Sequence, residues 1–303
     1  RSGAETLRLH RLPARFAAGA LAEGMDTARA AVEKAVASLN HKQNTAGDPR
    51  LLRAWESHLR HVTDAARGRE DETAATLCNN FGYYLRMSGD LAGARPYLER
   101  ALAIRERVLG PDHPTAAEQA ATALSLNNLG SLLQAMGDLA GARPYYERAL
   151  AIRERVLGPE HPLTASSLNN LGSLLKAMGD LAGARPYYER ALAIRERVLG
   201  PEHPDTALSL NNLGSLLRAS GDLAGARPYL ERALAIWERV LGSEHPDTAI
   251  SYGNLGSLVA ALGDVGEGRW LLEKALDVFT RRLGPNHPYT QEALRRLAAL
   301  PAE

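Results

Sequence analysis

The stretch from Asn169 to Leu210 reads NNLGSLLKAMGDLAGARPYYERALAIRERVLGPEHPDTALSL, and the 42 residues before it are almost the same text. The two stretches differ at only three positions, which are Gln134/Lys176, Leu163/Asp205 and Ser166/Leu208. Equivalent asparagines follow one another at a constant period of 42 residues, at Asn128, Asn170, Asn212 and Asn254. A fixed period of about 20–50 residues is typical of proteins built from stacked units. One unit therefore explains most of the chain.

Each unit predicts two amphipathic helices joined by a tight turn. Apolar residues recur at three- and four-residue steps, first up to Met178 and then again from Leu181, which is the spacing of helices with one buried face. Between them, Gly179 can end the first helix in the left-handed conformation, and Asp180 can accept the N–H groups that start the second. After the loop that contains His203-Pro204, we expect Asp205 or Thr206 to cap the next helix.

The unit resembles the tetratricopeptide repeat in its pattern of large and small residues at fixed positions, here Leu168, Leu171, Gly172, Leu175, Ala184, Tyr188 and Ala191. The usual repeat has about 34 residues, and the longer unit is similar to the repeats of kinesin light chains and of many bacterial signalling proteins. The resemblance implies an all-α fold, a right-handed superhelical solenoid of five tetratricopeptide repeats with helical caps. It also implies that the first helices line a concave groove.

The domain organisation follows from where the period holds. We assign five repeats to residues 75–290, followed by a C-terminal capping helix and tail at 291–303. Extra residues near 115–122, with the sequence AAEQAA, are rich in helix formers and predict an upstream extension of the first helix of repeat two. Repeat five departs most from the pattern, with Gly253 in place of the first asparagine and Trp270 in place of a proline.

The N-terminal residues do not fit the period. Residues 23–74 predict a helical linker and N-terminal cap, with helices at Thr27 to Leu39 and Arg50 to Ala66. Within residues 1–22, the run from Leu7 to Leu21 resembles the end of the winged-helix element that follows the nucleotide-binding domain in bacterial STAND ATPases of the NB-ARC type. The resemblance implies a remnant of that element here, attached to an upstream nucleotide-binding domain. The alternative is an unrelated capping helix.

Composition excludes several classes of partner. A net charge of +1 with 23% charged residues gives no overall field that would favour nucleic acid or anionic lipid. No apolar run approaches the roughly 18 residues of a membrane helix. Cys78 is the single cysteine, so a disulfide framework is impossible and a cytoplasmic location is predicted. Lysine supplies four of the 36 basic residues, a coding bias that predicts a bacterial source.

No arrangement of residues indicates catalysis or a cofactor. Five histidines occupy the same His-Pro loop in successive units, and we interpret them as loop caps: His113, His161, His203, His245 and His287. The phosphate-binding sequence Gly-x-x-x-x-Gly-Lys does not occur. Charged runs on the second helices, such as Arg195-Glu196-Arg197, are interpreted as a solvated outer face. We therefore expect neither enzymatic activity nor a metal or cofactor.

The candidate site lies on the first helices, where asparagines recur in pairs. An asparagine amide offers two donors and one acceptor, which suits the main chain of an extended peptide; the alternative is that one asparagine of each pair bonds the neighbouring helix. Further along the same face, basic side chains favour an acidic segment as ligand. The predicted peptide-binding residues are Asn79, Asn80, Tyr83, Arg86, Asn127, Asn128, Gln134, Asn169, Asn170, Lys176, Asn211, Asn212, Arg218 and Asn254.

These observations predict a protein- or peptide-binding module. Taken with the N-terminal resemblance, they favour the ligand-sensing region of a cytoplasmic STAND signalling ATPase. The alternative is a stand-alone scaffold or cargo adaptor similar to kinesin light chains.

Overall fold

The computed structural model describes residues 30, 32–38, 50–109 and 115–301, and this part of the chain is helical without any strand. A short helical segment at 32–38 comes first. The helices that follow are α1 (Arg50–Arg53), α2 (Glu56–Ala66), α3 (Glu72–Met87), α4 (Leu91–Leu109), α5 (Ala116–Ala135), α6 (Leu139–Leu157), α7 (Pro162–Ala177), α8 (Leu181–Val198), α9 (Pro204–Ala219), α10 (Leu223–Leu241), α11 (Pro246–Ala261), α12 (Val265–Arg282) and α13 (Pro288–Ala298). Helices α3 to α12 form five pairs, which are the five predicted repeats.

The turn inside each pair has the predicted chemistry. Gly179 adopts a positive φ of 85° and ends α7. The Asp180 carboxylate then accepts a hydrogen bond from the Gly183 N–H at 2.8 Å, at the start of α8. The corresponding aspartates of the other repeats cap their second helices in the same way. A glycine-aspartate pair therefore fixes where one helix stops and the next begins.

The loop between repeats is capped differently from the prediction. The side chain that caps α9 is that of His203, whose Nδ1 accepts a hydrogen bond from the Asp205 N–H at 3.1 Å. Thr206 instead donates its hydroxyl to the Gly200 carbonyl at 2.8 Å. The prediction of Asp205 or Thr206 as N-cap was wrong because Pro204 takes the first helical position and leaves the histidine at the cap. The interpretation of the histidines as loop caps is confirmed for the four described ones, and His113 lies outside the described residues.

The repeats stack into two layers. First helices of successive repeats contact one another directly, and each second helix packs between the first helix of its own repeat and that of the next. The first helices therefore form the inner layer. Within a repeat the helices approach closely because of glycine: a Cβ at Gly172 would lie 2.8 Å from the Tyr188 ring. The core consists of leucines, alanines and these tyrosines, repeated along the array.

Both ends of the array are covered by partial units. The segment at 32–38 and helices α1 and α2 precede repeat one; the predicted single helix from Arg50 to Ala66 is interrupted at residues 54–55. The guanidinium of Arg69 binds the buried Glu33 carboxylate through two bonds of 2.7 and 2.8 Å. At the other end, α13 occupies the place of a sixth first helix. The possible winged-helix remnant at residues 1–22 lies outside the described residues.

The extra residues of repeat two lengthen its first helix, as the sequence predicts. Helix α5 has 20 residues where α7 has 16. It begins with a capping box in which Thr115 accepts from the Glu118 N–H and the Glu118 carboxylate accepts from the Thr115 N–H. This reciprocal pair satisfies two of the N–H groups that a helix start leaves free.

Candidate functional site

All fourteen predicted site residues lie on α3, α5, α7, α9 and α11, the inner layer of the array. We call the surface formed by these helices the inner groove. The structure brings the asparagines into one continuous row across the repeats, with the basic side chains beside them towards the C-terminal ends of the helices.

The first asparagine of each pair is buried and joins two repeats. Asn127 is 5% exposed, and its amide donates to the Ser167 hydroxyl of the next repeat at 3.2 Å. Asn169 donates in the same way to Ser209 at 2.9 Å. In repeat one the polarity is reversed, because Asn79 accepts from the Ser125 hydroxyl at 3.2 Å. These amides hold neighbouring helices together, which is the alternative that the sequence left open.

The second asparagine of each pair reaches back to the preceding repeat. Its amide nitrogen donates to the side-chain oxygen of the first asparagine there, over 2.9 to 3.1 Å, in the pairs Asn128–Asn79, Asn170–Asn127 and Asn254–Asn211. Asn80 has no preceding asparagine and donates to the Ala37 carbonyl at 3.3 Å. We call this row of bonds the asparagine ladder. Its members therefore have fewer free groups for a ligand than the sequence alone suggests.

One rung of the ladder is open. Asn212 is half-buried, and its amide makes no hydrogen bond with any other described residue. Its expected partner, the Oδ1 atom of Asn169, is buried and has no hydrogen-bond partner in the described chain.

Buried arginines form a second row behind the ladder. Arg195 is 2% exposed and donates to the Asp205 carbonyl at 2.9 Å and to the Ser209 and Ser166 hydroxyls, each at 3.0 Å. The interpretation of Arg195 as part of a solvated outer face was wrong, because the first helix of the next repeat packs over it. Arg105 and Arg153 occupy the same position in earlier repeats, and burial lowers the pKa of Arg153 to about 10.

Two polar side chains near the C-terminal ends of the inner helices reach across to serines of the next repeat. Lys176 lies with its ammonium 2.5 Å from the Ser215 hydroxyl, and Gln134 donates to Ser173 at 3.1 Å. Burial, followed by the charges of Arg218 and Arg296, lowers the pKa of Lys176 to about 8. Burial likewise lowers the pKa of Arg218, whose Nε atom is buried without a partner among the described residues.

Aromatic and cationic side chains meet near the ends of the array. The Arg86 guanidinium lies 5.0 Å from the centre of the Tyr83 ring. Tyr289 of α13 is 46% exposed and lies close enough to Arg86 for their charges to interact. The sequence had indicated Tyr83 and Arg86 but not Tyr289.

Arg296 was also missed, although it stands 42 residues after Asn254 and so falls in the register of the ladder. It donates to the Asn254 side chain at 3.1 Å and to the Glu292 carboxylate at 2.8 Å. An arginine in the cap helix thereby continues the row of ladder contacts beyond repeat five.

The outer face has a different electrostatic character. Its arginines form ion pairs within and between repeats, with nitrogen–oxygen distances of 2.7 Å for Arg143–Glu147, Arg190–Glu154 and Arg232–Glu196. Charges on this face are therefore compensated by the protein itself. Within the described ranges, no cluster of histidine, cysteine, aspartate or glutamate is suited to a metal ion, and no helix is both long and apolar enough to cross a membrane.

Comparison with known families finds two models, each described as tetratricopeptide repeat. One matches residues 119–197, 167–236 and 209–267, and the other matches residues 74–115 and 248–289. The search of curated proteins gives no match.

Solved structures with the same fold include the nearly identical TPR-like repeats of a kinesin-light-chain-like protein from Podosopora anserina. It is 27% identical, with a TM-score of 0.53 over 70% of this chain and 98% of that one. BtubC (BKLC) from P. vanneervenii is 22% identical, with a TM-score of 0.56 over 82% and 94% of the two chains. The apo form of RapI is 17% identical, with a TM-score of 0.54 over 80% and 91%. The last two likenesses concern the fold alone.

Proposed function

Because this chain belongs to the tetratricopeptide repeat family, we propose that it is a non-catalytic binding module whose inner groove holds an extended, acidic segment of a partner protein. The observation behind the proposal is the contrast between the two faces. Outer arginines such as Arg143 have carboxylate partners, whereas Lys176 and Arg218 form no ion pair within the described chain.

The cost of these unpaired cations favours an anionic ligand. Burial, followed by the charge of Arg218, disfavours the charged form of Lys176, and burial, followed by the charge of Arg296, disfavours that of Arg218. A carboxylate near both cations would stabilise their charged forms, and hydrogen bonds between charged groups in a partly dry groove are among the stronger polar contacts. Glu292 raises the pKa of Arg218 but is already bonded to Arg296, so a carboxylate that pairs with Lys176 and Arg218 would come from the ligand.

A selection experiment tests the proposal with peptides of random sequence. A peptide library displayed on phage is panned against the protein and against a variant carrying Lys176→Met and Arg218→Met. The matched control carries Arg143→Met and Arg227→Met on the outer face, which changes the net charge equally. We expect acidic peptides to be enriched by the protein and the control but not by the groove variant, with all three equally helical by circular dichroism.

Two results would count against it. Retention of the same peptides by the groove variant would place the site elsewhere. Enrichment of neutral or basic peptides by the unmodified protein would show that the groove does not prefer acidic ligands.

The wider context that we propose is the ligand-sensing region of a bacterial, cytoplasmic STAND ATPase of the NB-ARC type, attached to an upstream nucleotide-binding domain. Its support is the sequence resemblance from Leu7 to Leu21. The alternative, a cargo adaptor, is supported by the similarity to kinesin-light-chain-like repeats. A phosphate-binding loop upstream of Arg1 would favour the ATPase, and a coiled coil there would favour the adaptor.

In either context, the chain itself should not bind ATP. The sequence has no Gly-x-x-x-x-Gly-Lys, and none of its four lysines follows a glycine, whereas a phosphate loop needs both features. Calorimetric titration with ATP and magnesium should therefore show no heat of binding. A micromolar dissociation constant would overturn the assignment as a module without its own nucleotide site.

A further inference from the structure

We infer that the open rung of the asparagine ladder, at Asn212, is where the groove binds the main chain of its ligand. The inference rests on the proposed function and narrows it to one point of contact. The remaining asparagines of the ladder then serve the stacking of repeats rather than ligand binding.

The difference between this rung and the others is a matter of hydrogen-bond partners. Asn128 and Asn254 each donate to the first asparagine of the preceding repeat, at 3.0 and 3.1 Å. Asn212 makes no such bond, although its sequence neighbours LNNLGSLL are the same as those of Asn128 and Asn170. The amide of Asn212 therefore remains available at the groove surface, where two N–H donors can meet a ligand carbonyl.

The acceptor left behind supports the same assignment. Asn169 is 4% exposed, and its Oδ1 atom has no partner among the described residues. A buried acceptor without a hydrogen bond is costly and uncommon in folded proteins. The open rung sets this position apart from Asn128, Asn170 and Asn254, whose amides all close onto the preceding repeat.

The open rung lies beside the unpaired cations. Ser215, which holds the Lys176 ammonium, is three residues beyond Asn212 on α9, and Arg218 is six residues beyond it. At 1.5 Å per helical residue, these positions lie about 4.5 and 9 Å from Asn212 along the helix axis. An extended ligand advances about 3.3 Å per residue. A carboxylate two to three residues from the bound carbonyl would therefore reach Lys176 and Arg218.

The ligand class follows from this spacing. It is an extended peptide segment whose main-chain carbonyl accepts from the Asn212 amide and whose acidic side chain lies two to three residues away. Main-chain recognition places no demand on the side chain at the bound residue, so selectivity comes from the acidic position.

The test uses two fluorescein-labelled nine-residue peptides of glycine and serine, one with two glutamates at its centre and one with glutamines instead. Binding is measured by fluorescence polarisation, up to millimolar protein. We expect Asn212→Ala to weaken both peptides at least fivefold, because the lost contact is to the main chain. The Lys176→Met, Arg218→Met variant should weaken only the glutamate peptide. Asn128→Ala and Asn254→Ala, whose amides are engaged in the ladder, should change the affinity less than twofold.

A measurement without ligand tests the same rung independently. Asn128→Ala and Asn254→Ala each remove a hydrogen bond and should lower the melting temperature by about 2 °C or more, whereas Asn212→Ala removes none and should leave it unchanged. The inference is overturned if Asn212→Ala binds both peptides as tightly as the unmodified protein, if it melts as low as the other two variants, or if neither peptide binds the unmodified protein. Equal affinity for the two peptides, with loss of both in Asn212→Ala, would instead contradict only the proposed preference for acidic ligands.

Discussion

The close approach of the two helices within a repeat depends on a glycine, and replacing it makes a quantitative prediction. A Cβ at Gly172 would lie 2.8, 2.9 and 3.1 Å from three atoms of the Tyr188 ring. Comfortable carbon–carbon contacts need about 3.5–4.0 Å. Tyr188 is 2% exposed, so the ring cannot move into solvent, and helices α7 and α8 must separate to make room.

The expected size of the effect combines two opposing terms. Overpacking of a well-filled core costs about 1–3 kcal/mol, and the enclosed ring favours the upper half of that range. Alanine is about 1 kcal/mol better than glycine within a helix, which offsets part of the cost. Gly172→Ala should therefore lower the free energy of unfolding by about 1–2 kcal/mol, which corresponds to a fall in melting temperature of about 2–8 °C.

The chain offers a matched control at Gly253, another glycine inside a first helix. A Cβ there would meet only the Arg296 side chain at 3.7 Å and the Ala275 Cβ at 3.8 Å, which are ordinary contacts. Gly253→Ala should therefore raise the melting temperature by about 2 °C through helix propensity alone. Thermal unfolding followed by circular dichroism measures both variants. If Gly172→Ala melts at or above the unmodified protein, or if both variants shift in the same direction, close packing is not the reason for the glycine.

Three further predictions concern charge, burial and capping. Burial and neighbouring cations lower the pKa of Lys176 to about 8, so the folded protein binds fewer protons at this residue than the unfolded chain between about pH 8 and 10.5. The free energy of unfolding should therefore rise with pH across that window. The affinity for an acidic peptide should fall, because Lys176 loses its charge. Lys176→Arg should remove both trends in titrations from pH 7 to 9.5, and a pH-independent affinity in the unmodified protein would exclude Lys176 from the site. Arg195→Ala should lower the free energy of unfolding in urea by about 3 kcal/mol or more, since it removes a buried cation with three hydrogen-bond partners. Arg195→Trp should lower it less, because Trp237 fills the same place one repeat later and donates to a carbonyl there. Equal losses of unfolding free energy in the two variants would contradict this. His203→Ala should lower the free energy of unfolding by about 0.5–2 kcal/mol through loss of the N-cap. His203→Asn should retain most of that free energy, because asparagine is a good N-cap residue. Equal melting temperatures of the two variants would rule out a capping role.

The order of the helices, and the turn between the two helices of each repeat, were predictable from the sequence alone. Gly179 and Asp180 mark a turn by local chemistry, since one allows a positive φ and the other accepts N–H groups a few residues away. The extension of α5 followed from the helix propensity of AAEQAA. The period of 42 residues then implied that neighbouring units pack alike, so the layered fold followed from the repetition.

The wrong prediction at the helix starts had a local cause. His203, Asp205 and Thr206 are all able to accept or donate hydrogen bonds, and their order in the sequence does not decide which one caps the helix. Pro204 decides it, because the ring fixes the first helical residue and the residue before a proline is held in an extended conformation.

The candidate site depended on contacts that no local pattern contains. Arg195 and Arg197 belong to the same run RERV, yet Arg195 is 2% exposed while Arg197 lies at the surface. The difference arises because α9 packs over one side of α8 only. Likewise, Asn170 and Asn212 have nearly identical neighbours in sequence, but only Asn170 closes onto the preceding repeat. The partner of Asn170 lies 43 residues away in the chain, and those of Arg195 lie 10 to 29 residues away. The sequence therefore determined which residues recur, and the stacking of one unit on the next decided which of them are buried, bonded or left free for a ligand.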